Sequence, residues 1–139
     1  MLSPPASISV LLTWHVGNDT DLRTIRDDIR RFVAREPGTS TGVEGTRTAQ
    51  HLGLVATELA GNALRHGQPP VVVRLLSDDA CFIVDVSDRA VRELPSPAPA
   101  RQGIRAGGRG LPICLALAEQ VCWYANETTK HVWASFPRR

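Results

Sequence analysis

The chain has 139 residues, 42% of them hydrophobic and 22% charged, which is enough to bury one core and too little for two domains. A net charge of +2, a pI near 8.7 and basic residues scattered along the chain argue against direct contact with nucleic acid. No stretch approaches roughly 18 apolar residues and the apolar start lacks a basic flank, so neither a membrane span nor a leader is expected. The chain reads as one soluble, cytoplasmic domain over residues 1–139.

Ile8 to Val16 is rich in β-branched and aromatic residues and follows Pro4-Pro5, which predicts a first strand. Capping residues from Asn18 to Asp21 precede Leu22, Ile25, Ile29 and Val33, whose spacing of three and four predicts an amphipathic helix ending before Pro37-Gly38. Residues 37–45 read as a flexible connection. A second helix follows, with Leu52, Val55, Leu59 and Ala63 on one face and a stop at Gly67.

VVVRLL (71–76) and CFIVDV (81–86) predict two antiparallel strands, apolar on both faces and therefore central. The next segment, about 89–107, is rich in Pro and Arg without periodicity, and a loop of that length in a small domain is usually functional or disordered. A glycine cluster and a short apolar helix, GGRGLPICLALAEQV, lead to two last strands, Val121 to Ala125 and His131 to Phe136. This order predicts an α/β two-layer sandwich: a mixed, mostly antiparallel sheet with helices on one face. Cys81, Cys114 and Cys122 lack any CxxC or Cys/His spacing and read as free, buried thiols. Lys130 is the one lysine among 16 basic residues, a bias that reads as coding composition rather than chemistry.

Four pieces carry possible chemistry. Glu58 and Asn62, four apart on the second helix, project together at the edge of its buried stripe. A carboxylate can take a proton from a hydroxyl nucleophile, and a neutral amide oxygen can ligate Mg²⁺ beside phosphates; a solvated helix edge also fits the pair. Asp88, just after a strand, could accept from an exocyclic amine such as adenine's, or simply start a turn. Gly107-Gly108-Arg109-Gly110-Leu111 ahead of a helix could let backbone amides approach a phosphate, although GxxxxGK[ST] is absent and no parallel βαβ repeat surrounds it. Finally, Arg89, Arg92, Arg101 and Arg105 outnumber Glu93 in the long loop, which could close over an anion or remain a solvated surface loop.

In that order, ELAGNALRHG (58–67), the strand-end Asp, the long loop, the glycine cluster and a terminal hairpin resemble the GHKL (Bergerat-fold) ATP-binding domain. Within that superfamily the chain is most similar to bacterial anti-sigma-factor serine kinases and their small ATP-binding relatives. The resemblance implies ATP and Mg²⁺ as cofactors, Glu58 as general base, Asn62 as the Mg²⁺ ligand, and Arg65 and His66 lining the nucleotide pocket. It further implies that Asp88 bonds the adenine amine, that Gly108, Arg109, Gly110 and Leu111 face the phosphates, and that residues 89–107 form an ATP lid. Two positions depart from the pattern. Ala90 stands where a glycine is common, and Thr129-Lys130-His131 replaces the usual Gly-(Lys/Thr)-Thr, leaving open whether Thr128, Thr129 or His131 serves near the base. The implied activity is phosphorylation of a STAS-type anti-anti-sigma partner combined with sequestration of a sigma factor, in a possible homodimer. The alternatives are a non-catalytic ATP-binding partner switch and the catalytic half of a split histidine kinase, the latter without a phospho-acceptor helix pair in the sequence.

Overall fold

The computed structural model describes residues 8–36, 42–91, 114 and 116–138. In chain order these form β1 (Ser9–Val16), α1 (Asp19–Val33), α2 (Gly42–His66), β2 (Val71–Ser77), β3 (Cys81–Asp88), β4 (Gln120–Ala125) and β5 (Lys130–Pro137). The strands make one sheet in the order β1-β2-β3-β5-β4, and all four pairings are antiparallel. β2 and β3 lie inside the sheet, as their apolar character predicts, and α1 and α2 form the layer on one of its faces.

α1 starts where its sequence signals say. The Asn18 side chain accepts from the amides of Thr20 and Asp21 while Asp21 reaches back to the Asn18 amide, a complete capping box. Ile25, Ile29 and Val33 are buried along one stripe. α2 is the central helix, packed between α1 and the sheet, and accordingly buries more of its circumference: Leu52, Val55, Ala56, Leu59 and Ala60 are all closed to solvent. Gly53 permits the close approach of the two helices, because a Cβ there would lie 3.1 Å from Arg26 Cγ. Beside it, Arg26 donates to the Thr57 hydroxyl at 3.0 Å and ties α1 to α2.

Three boundary differences bear on the site. α2 begins at Gly42 and so takes in half of the expected flexible connection; Glu44 in its first turn suits the positive helix end. β3 runs through Asp88, making that residue the last of the strand rather than one beyond it. β5 starts at Lys130, one residue earlier than expected, which draws Lys130 into the sheet.

Alternation sorts the sheet into two faces. Val73, Leu75, Phe82, Val84, Val86, Ala134 and Phe136 join the helices in the main core. Leu76, Ile83, Cys122 and Trp133 form a smaller apolar cluster on the other face, with Ile8 and Tyr124 against it. The three cysteines are free, with Cys114 and Cys122 buried and Cys81 half-buried. Among the described residues no helix is long and apolar enough to cross a membrane.

Candidate nucleotide site at the end of the sheet

Asp88 follows Phe82, Val84 and Val86 on the helix-facing side of β3 and is 4% exposed. A buried carboxylate needs donors, and most of those it has come from backbone. The Ala90 amide donates to Oδ1 at 2.7 Å and the Gln68 amide reaches the same oxygen at 3.5 Å. The Arg89 amide in turn donates to the Gln68 carbonyl at 2.9 Å, so the segment after α2 is stitched to the segment after β3. Ala90 is itself 3% exposed, so the departure from glycine is accommodated as a packed residue whose amide holds the aspartate.

Gly67 is more than a helix stop. A Cβ there would lie 2.6 Å from both Cγ and Oδ2 of Asp88 and 2.7 Å from the Ala63 carbonyl oxygen. Only glycine lets the end of α2 sit flush against the carboxylate. The sequence reading missed this because a glycine after a helix is already explained by termination. Its adjacency to a strand-end aspartate emerges only once α2 and β3 are packed together.

Glu58 and Asn62 lie half-buried along α2, one turn apart, on the way to this end. Arg65 and His66 are exposed in the last turn of the helix. The Arg65 guanidinium donates to Asn62 Oδ1 at 2.9 Å, while the Asn62 amide nitrogen is buried without a hydrogen-bond partner. Cys114 is fully buried and helical. Burial pushes its thiol up to about 12, and the neighbouring Glu58 carboxylate adds to the rise. Cys114 therefore lies close to Glu58. Gly108, Arg109, Gly110 and Leu111 lie outside the described residues, as does most of the expected lid, of which 89–91 are described.

The expected Thr129 turns elsewhere. Its hydroxyl donates to Asn126 Oδ1 at 3.1 Å and lies 3.1 Å from His131 Nε2. His131 Nδ1 meets the Asp85 carboxylate at 3.0 Å, on the face of the sheet opposite Asp88. The position that shares Asp88's face is Lys130, directly across the β3–β5 ladder, with Nζ 3.5 Å from Asp88 Oδ2.

The opposite face carries a second polar group that the sequence reading did not single out. Asp85 is fully buried, and Arg74, its direct cross-strand neighbour, donates to Oδ2 at 2.9 Å. The Tyr124 ring stacks on His131 with centroids 4.6 Å apart. Arg74, Asp85, His131 and Tyr124 thus run across β2, β3, β5 and β4 as one ladder. A charged residue inside an apolar strand run was the available signal, hidden by treating CFIVDV as uniformly apolar.

Magnesium fits the donors present. Mg²⁺ takes one or two protein oxygens and completes its shell from phosphate and water, so one neutral amide oxygen beside a phosphate site suffices. Asn62 supplies that oxygen, and a cation, the Arg65 guanidinium, already stands on it. The unsatisfied amide nitrogen shows that this side chain is not serving as a finished structural tie.

Comparisons with known proteins agree with this architecture. The chain is similar in structure to the histidine kinase domain of the blue-light activated histidine kinase from Erythrobacter litoralis, with a TM-score of 0.52 over 98% of this chain and 70% of that one, at 19% identity. At that identity the likeness concerns the fold. No curated protein matches the chain at the sequence level. The profile of the histidine kinase-like ATPase domain matches residues 18–136, spanning α1 through β5. With Asp88, Gly67 and the Glu58–Asn62 helix gathered at one end of an antiparallel sheet, the chain belongs to the histidine kinase-like ATPase domain family, the GHKL type of ATP-binding module.

Proposed function

We propose that this protein is an ATP-binding regulatory serine/threonine protein kinase and anti-sigma factor, which phosphorylates a STAS-type anti-anti-sigma partner and sequesters a sigma factor as a homodimer. The observation that carries the nucleotide part is Asp88: a buried carboxylate at the end of a strand, fixed by backbone amides, with Gly67 packed flush beside it. Such a group accepts from the exocyclic amine of adenine in a fixed direction. Glu58 and Asn62 lie on the helix that ends at this carboxylate, which puts a proton acceptor and a metal-ligating oxygen on the phosphate side of the base.

In this reading Glu58 orients and deprotonates the hydroxyl of the partner protein, and Asn62 holds its amide oxygen toward the phosphates. Magnesium, when bound there, shields phosphate charge as it develops.

The test separates binding from chemistry. Wild type should be stabilised by ATP and magnesium in a thermal melt, by about 2.7 kcal/mol when ATP is at 100 times its dissociation constant. Glu58→Ala should keep ATP affinity within a few-fold and slow single-turnover transfer to a STAS-type partner by roughly 10² to 10⁴. Nucleotide binding without transfer by wild type to any hydroxyl-bearing partner would leave a non-catalytic switch, and absence of ATP binding would defeat the reading altogether.

A further inference from the structure

We propose that Lys130 is a base-recognition residue: its ammonium donates to N1 of adenine while Asp88 accepts from the adjacent 6-amino group. The pair would then read two neighbouring atoms of the base's Watson–Crick edge. The inference rests on the reading of Asp88 as the base acceptor.

Lys130 is 9% exposed and opens β5 directly across from Asp88, with Nζ 3.5 Å from Oδ2. Lysine is seldom buried, and its long stem normally carries the charge out to water. Here it is held on the helix-facing side of the sheet, at the end where Asp88 lies. A buried ion pair is by itself weak grounds for stability, so its chemistry needs another account.

The choice of lysine supplies one. All fifteen other basic residues of the chain are arginine, as 16 basic residues less this single lysine. A guanidinium at position 130 would present two parallel N–H groups and take both carboxylate oxygens in a bidentate pair. An ammonium is a point donor.

An ionised carboxylate offers about four acceptor sites. The Ala90 amide, the Gln68 amide and Lys130 engage three of them, which leaves room for one N–H of an exocyclic amine. An ammonium carries three donors on a rotatable stem, so contact with Asp88 is compatible with donation to a ring nitrogen. Adenine places the donor N6 and the acceptor N1 on adjacent atoms, matching an acceptor and a donor held side by side. The arginine bias is thus broken at the one position where arginine would close the acceptor.

Calorimetry with ATP, 1-deaza-ATP, which lacks the N1 acceptor, and purine riboside triphosphate, which lacks the 6-amino group, tests the assignment. Wild type should bind ATP roughly ten- to a hundredfold more tightly than 1-deaza-ATP, the worth of a hydrogen bond to a charged group. Lys130→Met should bind the two alike and weakly, Lys130→Gln should retain part of the difference, and Lys130→Arg should lose ATP despite keeping the charge. Equal binding of ATP and 1-deaza-ATP by wild type overturns the inference, as does tighter ATP binding by Lys130→Met, which would make the lysine a mere competitor for Asp88. Preference for GTP over ATP also overturns it, by showing that the pair reads a 6-oxo edge. If purine riboside triphosphate binds wild type as well as ATP does, the Asp88 reading fails too; if only the N1 substitution is silent, Lys130 alone is misassigned. The wild-type analogue series decides even where a variant fails to fold.

Discussion

Two buried aspartates three residues apart on β3 face opposite sides of the sheet and are held in opposite ways. Asp85, fully buried, is enclosed by side chains from neighbouring strands, Arg74 and His131. Asp88, at the strand's end, is held by two backbone amides and one ammonium. The first arrangement ties strands together and has no room for a ligand. In the second, two backbone amides and one ammonium surround a carboxylate at the strand's end. Under the proposed function, the origin of its donors, not burial alone, separates the structural aspartate from the nucleotide-binding one.

Substitutions at the two aspartates should separate stability from binding. Asp85→Ala strands Arg74 and His131 without their buried counter-charge and should destabilise the fold by about 3–5 kcal/mol, measured by urea denaturation, with ATP affinity of the folded fraction unchanged. A comparable loss of ATP affinity would show that the two faces are not independent. Asp88→Asn should do the converse, weakening ATP binding by roughly 10- to 100-fold through loss of the charge-assisted bond. Its midpoint of unfolding should move less than that of Asp85→Ala.

Gly67→Ala sharpens the contrast from the helix side. Its Cβ would meet the Asp88 carboxylate at 2.6 Å, so something must shift, at a cost of about 1–3 kcal/mol typical of overpacking. ATP affinity should fall with it, whereas a residue serving only to end α2 would lower stability and leave affinity unaltered.

The smallest effect concerns Cys114, whose thiol is raised from 9.0 to about 12 by burial and by Glu58. The folded state holds the proton that the unfolded state releases first, so stability should decline as pH rises through that window. Urea midpoints at neutral pH and at about pH 10.5 should show a shallower decline in Cys114→Ala than in wild type. Identical slopes would mean that Cys114 is not enclosed beside Glu58.

Much of the frame was readable without coordinates. The stripe of Ile25, Ile29 and Val33, the stripe of Leu52, Val55 and Leu59, and the Asn18 cap are repeated local patterns, and a helix realises them wherever it is packed. The central placement of β2 and β3 followed from strands apolar on both faces. Glu58, Asn62 and Asp88 were recognisable from their spacing and order. The start of α2 was not, because the Gly- and Thr-rich residues around position 42 carry loop-like propensity, yet they are helical while largely exposed.

Partners across the sheet were beyond the reach of pattern. Whether Thr129 or Lys130 faces Asp88 depends on a register shift of one residue, which exchanges the two faces of a strand. Lys130 passed as an accident of composition until the β3–β5 ladder set it opposite Asp88, and Asp85 passed as part of an apolar run until Arg74 and His131 closed around it. The sequence by itself determined which segments become helix or strand and which side of each is apolar, since those follow from periods of 3.6 and 2 along one chain. Only the tertiary structure decided which charges meet, because a hydrogen bond between strands depends on register and on ångström-scale approach between residues far apart in sequence.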